Sequence, residues 1–486
     1  MSLSTHPYDD DKLREECGVF GVFGKDSAAA MTVLGLHALQ HRGQEAAGIV
    51  SFDGDQFHAH RALGHVAENF NTESVISRLM GSSAIGHTRY ATTGETAMRN
   101  VQPLHAEFEF GGFAIAHNGN LTNTFTLRNQ LVKRGCLFQS TTDTEIIIHL
   151  MAIARGGGPI DRMIEALRQV EGAYSLVALA RNMMIGVRDP HGVRPLVLGK
   201  LDEAFVLASE TCALDIIGAT FVRDIDPGEM VIIDTKGLTS LRPLSPAPRK
   251  FCIFEYVYFA RPDSSVEGRS VYEIRKNIGA ELARESPVEA DIVVPVPDSG
   301  VPSAIGYAQE SGISFDLGII RNHYVGRTFI QPTDTIRHLG VKLKHNANRR
   351  FIENKRVILV DDSIVRGTTS TKIVEMVRNA GAREVHMRIT SPPTKHSCFY
   401  GIDTPQEDKL LAHNYTVEQM CRFIGADSLA FISLDGLYRA MGEPKRNDAA
   451  PQFCDACFSG DYAIPLIDLN GSTGAAQLQL VARASR

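Results

Sequence analysis

The segment Val357-Ile-Leu-Val-Asp361-Asp362-Ser363-Ile-Val-Arg366-Gly367-Thr368-Thr369 limits the folds open to this chain more than any other. An apolar run over residues 357–360 ends on two adjacent carboxylates. A short loop with Ser363, Gly367, Thr368 and Thr369 follows. After it Ile373, Val374, Met376, Val377 and Ala380 recur at helical spacing, and Gly381 is placed to end the helix. Residues 384–390 read as the next strand. The pattern is a strand–helix–strand unit, and ligands of such sheets lie at the carboxyl ends of the strands. Backbone N–H groups of Arg366, Gly367, Thr368 and Thr369 would converge at a helix N-terminus, where a phosphate is stabilised. Asp361 and Asp362 can hold sugar hydroxyls or, through oxygen ligands, Mg2+. A phosphate cradle beside paired carboxylates suits a phosphorylated ribose.

The segment resembles the phosphoribosyl pyrophosphate (PRPP) loop of type I phosphoribosyltransferases. Upstream, a second strand over residues 291–297 ends in the turn Pro297-Asp298-Ser299-Gly300. By itself this is an ordinary Pro/Gly turn. Beside a PRPP loop, its oxygen, hydroxyl and approachable backbone make it the expected pyrophosphate site. Ser299 then joins Asp361 and Asp362 as an expected Mg2+ contact. Between the two loops lie Arg321, Arg327, Arg337, Lys342, Lys344, Arg349 and Arg350 without apolar periodicity; a charge run of this kind is usually a solvated surface segment, and the sharper reading beside a PRPP loop is a mobile lid over a polyanionic substrate.

The chain has 486 residues, enough for two or three domains. A hydrophobic fraction of 43% and a charged fraction of 22% fit a soluble globular protein. The net charge of -6, with no basic cluster interleaved with aromatics, gives no sign of nucleic-acid binding. No apolar run reaches membrane-spanning length, and residues 1–16 lack the apolar core of a secretory signal. A cytoplasmic location is expected. The eight cysteines then point to catalysis or metal binding more than to disulfides. Residues 17–242 alternate short β-branched runs with helical stretches. Residues 243–250, with three prolines, read as a linker. Residues 251–460 follow the α/β pattern, and 461–486 read as a flexible tail.

A second chemistry starts at Glu16-Cys17-Gly-Val-Phe-Gly. It is joined in order by Gln40-His-Arg-Gly-Gln-Glu45, Gly86-His87-Thr-Arg89-Tyr90-Ala91-Thr92, His117-Asn118-Gly119-Asn120 and Ser140-Thr-Thr-Asp143-Thr-Glu145. Together these segments resemble a class II glutamine amidotransferase of the N-terminal nucleophile family. That likeness implies a four-layer αββα domain in which Cys17, as the first residue of the mature chain, attacks the glutamine side-chain amide. Its free α-amine serves as general base. Residues 1–16 are then a propeptide, cut before Cys17. By the same resemblance, Asn118 and Gly119 form the oxyanion hole. Arg89 with Thr92 holds the glutamine α-carboxylate, and Asp143 accepts from the α-ammonium.

Cys454-Asp-Ala-Cys457 alone could be redox, metal or accidental. With Cys252 and Cys398 it matches the cluster positions of one subfamily of glutamine PRPP amidotransferases, those with a propeptide and a [4Fe–4S] centre. Four thiolates suit Fe–S or Zn, and spacing does not separate the two. Cys136, Cys212 and Cys421 match no motif and are expected to pack.

The order glutaminase then phosphoribosyltransferase, over about residues 15–460, resembles the glutamine PRPP amidotransferase family. The likeness implies glutamine and PRPP as substrates, Mg2+ and a [4Fe–4S] cluster, purine nucleotides as feedback inhibitors, and a homotetramer. Two rivals are another N-terminal nucleophile amidotransferase, such as a sugar-isomerising synthase, and a catalytically silent PRPP or nucleotide sensor. The first lacks a partner domain with Asp361-Asp362 and Gly367-Thr368-Thr369. The second is expected to lose Cys17 or the acidic pair, and both are present.

Overall fold

The computed structural model describes residues 14–15, 17–90, 97–322 and 345–469. Thr92, the proposed lid residues Arg327, Arg337, Lys342 and Lys344, most of the leader and residues 470–486 lie outside them.

The N-terminal half is built from two antiparallel sheets. One has seven strands in the order Thr220–Asp224, Val197–Leu201, Ala204–Ala208, Gly18–Phe23, Ser83–Arg89, Ala46–Phe52, Phe57–Leu63. The other has six, in the order Gly237–Leu241, Met230–Asp234, Met183–Arg188, Gly172–Ala180, Gly111–Leu121, Leu104–Phe108. Side chains alternate across a strand, so each sheet has two faces to bury. Val19, Val50, Ile85, Ala114, Ala116, Val177 and Leu179 meet between the sheets. Their neighbours Phe20, Val22, Ile49 and Ala84 turn outward under the helix Ala28–Ala38. Ile115, Leu176 and Ala178 turn the other way, under Thr124–Lys133, Thr144–Ile153 and Pro159–Leu167. The layers are helix, sheet, sheet, helix. With both faces covered, the strands Ala46–Phe52 and Gly172–Ala180 are buried along their whole length.

Residues 242–250 carry neither helix nor strand. The second half holds a parallel sheet in the order Ile292–Pro295, Arg356–Asp361, Glu384–Ile389, Ser428–Phe431. Ile358 and Val360 pack toward the helices Val271–Glu285 and Val301–Ser311. Val357 and Leu359 pack toward Thr368–Asn379 and Val417–Ile424. Burial on both faces explains why residues 357–360 are continuously apolar. The first two helices cross closely: a Cβ on Gly279 would meet the Ser303 carbonyl oxygen at 1.9 Å, and one on Gly306 the Lys276 carbonyl oxygen at 1.9 Å. The strand Ile319–Arg321 stands apart from this sheet, paired antiparallel with His345–Ala347.

The expected tail does not begin at residue 461. Ile464 is buried. Thr122 Oγ1 donates to the Pro465 carbonyl at 2.9 Å. Asp468 accepts from Phe125 N at 2.6 Å and from Thr126 N and Oγ1 at 3.1 and 2.7 Å. The helix Thr124–Lys133 has no side-chain cap of its own. Its orphan N–H groups give residues 461–469 a polar anchor on the first domain. Among the described residues, no helix is long and apolar enough to cross a membrane.

Candidate functional sites

Cys17 sits buried at the start of the strand Gly18–Phe23, with φ at 71°. Few side-chain-bearing residues adopt that conformation. Its backbone N donates to the Arg42 carbonyl at 3.1 Å, and its Sγ lies 3.8 Å from the Tyr90 carbonyl oxygen. The neighbouring strand Ser83–Arg89 links the cysteine to the residues expected to stabilise charge. Gly18 N donates to Thr88 Oγ1 at 3.2 Å, and His87 Nε2 is 3.0 Å from the His117 carbonyl oxygen. Burial first, then the charge of Arg89, lowers His87 to a pKa of about 3. The ring is neutral at pH 7, so the nitrogen facing His117 donates.

Asn118 follows His117 and is fully buried. Neither its side-chain oxygen nor its nitrogen has a hydrogen-bond partner among the described residues. A buried amide left unmade is costly, and such groups recur where a transient ligand supplies the partner. Gly119 lies opposite Tyr174 on the strand Gly172–Ala180. Tyr174 spends both backbone groups on Asp189, its N–H on the carboxylate at 3.3 Å and its carbonyl on Asp189 N at 2.9 Å. The Gly119–Tyr174 pair is therefore not hydrogen-bonded, and the Gly119 N–H points away from its partner strand. The residue must be glycine: φ is 136°, and a Cβ would stand 2.1 Å from the Ala173 carbonyl oxygen.

Arg89 is buried, with Nη1 donating to the Asn100 carbonyl at 2.9 Å. Asp143 accepts from Leu121 N at 3.0 Å and lies 3.6 Å from His117 Nδ1. Burial raises its pKa, but His117, the Leu121 N–H and Arg89 outweigh that, leaving the carboxyl below its ordinary value. A buried guanidinium and a carboxylate held in its charged form thus stand within electrostatic reach of each other, an arrangement that suits the two charged ends of an amino acid.

At the second site, Asp361 and Asp362 are each 2% exposed at the end of their strand. Asp362 N donates to Asp361 Oδ1 at 2.9 Å, and Ser363 Oγ to Asp362 Oδ1 at 2.6 Å. Ser299 Oγ reaches Asp362 Oδ2 at 2.5 Å, so the two loops meet. Gly300 allows this: a Cβ there would lie 2.4 Å from the Val360 carbonyl oxygen. Asp298 is paired with Arg321. Gly367, at φ 83°, precedes the helix that starts at Thr368, and places Arg366, Thr368 and Thr369 around its N-terminus. Two carboxylates and a hydroxyl form an oxygen donor set suited to Mg2+ completed by substrate and water.

The four expected cluster cysteines gather by backbone pairing. Cys252 lies opposite Cys454 in a short parallel ladder, and Cys457 begins three residues on. The Cys457 carbonyl accepts from Lys395 N and His396 N at 3.0 and 3.1 Å, which brings Cys398 to the same place. Burial, the nearby Glu255 and Cys398 push the Cys252 thiol up to about 12 despite Arg194. Cys454 and Cys457 are also raised well above the ordinary thiol value, by burial, by Cys252 and by Cys398. Among the described residues, no three His, Cys, Asp or Glu side chains are set to hold a single metal ion. A four-iron cluster is wider than one ion, and four thiols, three of them buried and Cys398 partly so, have the chemistry it needs. Cys212 is buried as expected, whereas Cys136 and Cys421 are only partly so.

A buried ionic chain had no counterpart in the motif reading. Arg42 is fully buried, paired with Glu210 and, at 2.8 Å, with Glu255 of the second domain. Glu255 also takes Arg194 at 2.7 Å. Arg275 donates to the carbonyls of Tyr256, Tyr258 and Ala260 and feels the charge of Asp362. The only sequence signal was Arg42 itself, inside Gln40-His-Arg-Gly, to which no role attached.

These two sites, a buried cysteine in helix–sheet–sheet–helix layers and a paired-carboxylate loop at the end of a parallel strand, define a glutamine amidotransferase joined to a phosphoribosyltransferase. Residues 87–215 match the glutamine amidotransferase domain and 269–392 the phosphoribosyl transferase domain. An amidophosphoribosyltransferase of Rhizobium etli is 60% identical, over 98% of this chain and 97% of its own. The amidophosphoribosyltransferase of Bacillus subtilis is 48% identical, over 93% of this chain and 94% of its own. The solved B. subtilis glutamine PRPP amidotransferase, complexed with ADP and GMP, superposes with a TM-score of 0.87, covering 93% of this chain and 98% of that one. The chain belongs to the amidophosphoribosyltransferase family, the glutamine-dependent phosphoribosyltransferases of purine biosynthesis.

Proposed function

We propose that this chain converts glutamine, PRPP and water to glutamate, pyrophosphate and 5-phosphoribosylamine at two sites, with the residues assigned as follows. Cys17 Sγ attacks the glutamine side-chain amide, its α-amine moving the proton. Asn118 Nδ2 and Gly119 N–H stabilise the oxyanion, and ammonia leaves as the thioester forms. Water then releases glutamate. Arg89, with Thr92, and Asp143 hold the two charged ends of the substrate. Ammonia passes to the second site, shielded from protonation by bulk water, and displaces pyrophosphate at ribose C1. Asp298, Ser299 and Gly300 face the pyrophosphate. Asp361 and Asp362 face the ribose hydroxyls. Ser363, Arg366, Gly367, Thr368 and Thr369 cradle the 5-phosphate.

The observation that carries this reading is the fully buried Asn118 amide, without a hydrogen-bond partner among the described residues, on a strand of the sheet packed against the one that carries Cys17. The positive φ of Cys17 supports removal of residues 1–16, since cutting the preceding bond releases the strained backbone. Ser299, Asp361 and Asp362 would hold Mg2+, which when bound neutralises the leaving pyrophosphate. Cys252, Cys398, Cys454 and Cys457 would hold a [4Fe–4S] cluster with a structural role, since the reaction has no redox step. We place the enzyme in the cytoplasm as a homotetramer inhibited by purine nucleotides, the last supported by the ADP and GMP bound to the B. subtilis protein. The test is Cys17→Ala. Glutamine-dependent synthesis is abolished and ammonia-dependent synthesis persists. Equal loss of both in a folded variant would overturn the two-site assignment.

A further inference from the structure

The strand end that carries Asn118 and Gly119 is gripped by a segment of the other domain. The strand Leu104–Phe108 pairs only with residues 111–115; beyond them this edge of Gly111–Leu121 has no strand and is held by side chains, Gln102 Oε1 accepting from His117 N at 2.9 Å and Asp143 from Leu121 N at 3.0 Å. Residues 399–401 lie against Gly119 and Asn120. Asn120 Nδ2 donates to the Phe399 carbonyl at 3.0 Å. Gly401, at φ 113°, sits against Gly119: a Cβ on Gly401 would lie 3.1 Å from the Gly119 Cα and 3.5 Å from its carbonyl carbon. Ala173 blocks Gly119 on its other side. The strap is itself anchored. Tyr400 is 1% exposed, and its hydroxyl donates to the Ile464 carbonyl at 2.7 Å and accepts from Ile464 N at 2.9 Å. It runs directly into Ile402–Asp403, which pairs with Arg14–Glu15 of the leader.

We infer that the strap 399–401 of the phosphoribosyltransferase domain is a positioning element of the glutaminase site, holding the Gly119 N–H in register for the oxyanion through Asn120 and Gly401. The inference rests on the assignment of Asn118 and Gly119 as the oxyanion hole. An oxyanion donor works only if it is fixed where charge develops, and a displacement of some tenths of an ångström is enough to weaken it. Residues 117–121 lack a second strand, so sheet pairing alone does not supply that rigidity. The glutaminase is therefore complete only when the second domain is docked, which ties ammonia production to the presence of its acceptor site.

The test is Asn120→Ala in full-length enzyme whose amino terminus is verified as Cys17. Glutamine-dependent kcat is expected to fall roughly ten- to a hundredfold, a part of the 10²–10³ lost with a whole oxyanion donor. The KM for glutamine, ammonia-dependent synthesis and the rate of Cys17 alkylation by iodoacetamide stay near wild type. Alkylation passes through no oxyanion, so a merely loosened site would change it and this role does not. Gly401→Ala, which presses a methyl on Gly119, shows the same split. A kcat within twofold of wild type in Asn120→Ala overturns the inference, as does a parallel fall in alkylation or ammonia-dependent synthesis. Asn118→Ala, measured alongside, separates the two ideas. If it retains kcat, the oxyanion assignment itself fails. If it loses kcat while Asn120→Ala does not, only the strap fails.

Discussion

Replacing Asn118 by leucine should make the protein more stable and the glutaminase nearly inactive. The side chain is fully buried on the strand Gly111–Leu121, opposite Ser175, and both amide atoms lack partners among the described residues. A buried polar group left unpaired costs about 1–3 kcal/mol. Leucine has nearly the same volume and removes that cost, at about 1 kcal/mol or less for its different branching. The net is a gain of about 1 kcal/mol, or about 2–4 °C in the melting temperature of a domain of 150–250 residues. Losing the oxyanion donor should lower glutamine-dependent kcat by about 10²–10³. Urea and thermal unfolding, with paired steady-state assays on glutamine and on ammonia, measure all three quantities. Two results would refute the reasoning. One is a kcat within fivefold of wild type. The other is a stability loss above about 2 kcal/mol, the cost expected if the amide had made hydrogen bonds to charged groups.

At the second site, Asp361→Asn and Asp362→Asn should each cut synthesis with either nitrogen donor; unchanged PRPP affinity and turnover in both would remove the acidic pair from the site. Cys454→Ser should give unstable, iron-poor protein, whereas wild type purified without air should be brown and contain iron and sulfide; stable, colourless wild type would count against the cluster. Glu145 accepts from Gln139 N, Ser140 N and Ser140 Oγ, and these bonds with His149 outweigh burial to lower its pKa from 4.5 to about 2. Its contribution to stability is therefore complete above pH 4.5 and lost as pH falls toward 2. Glu145→Gln should flatten the acid limb of a denaturation profile in that window, and an unaltered slope would show the carboxylate is not held in its charged form.

Several features were legible because near neighbours in sequence determine them. Residues 357–369 form strand, loop and helix from hydrophobic run, turn chemistry and helical spacing alone, and the acidic pair falls at the strand end as expected. Short β-branched runs marked strands within residues 17–242, the first of them Gly18–Phe23. The resemblance of five ordered segments grouped Cys17, Arg89, Asn118, Gly119 and Asp143, and in the structure the elements that carry them are two packed sheets and the start of the helix Thr144–Ile153. Residues 461–469 were misread because their apparent lack of pattern hid a role decided elsewhere: Asp468 caps a helix more than 300 residues away.

What the sequence determined by itself is therefore the type of each element, the order of the two domains and the residue types offered at each site. Tertiary structure decided which of those groups meet. Gly279 and Gly306 look like helix-weakening residues until two helices cross at backbone contact. Arg42, Glu210, Glu255 and Arg194 are ordinary charges along the chain and a buried ionic chain only once the domains dock. Asn120 becomes a tether because Phe399 presents a carbonyl to it across the domain boundary. The reason is physical. Local conformation depends on side chains a few residues apart, whereas burial, desolvation and hydrogen-bond partners depend on surfaces brought together over hundreds of residues, and a linear pattern does not record which surfaces those are.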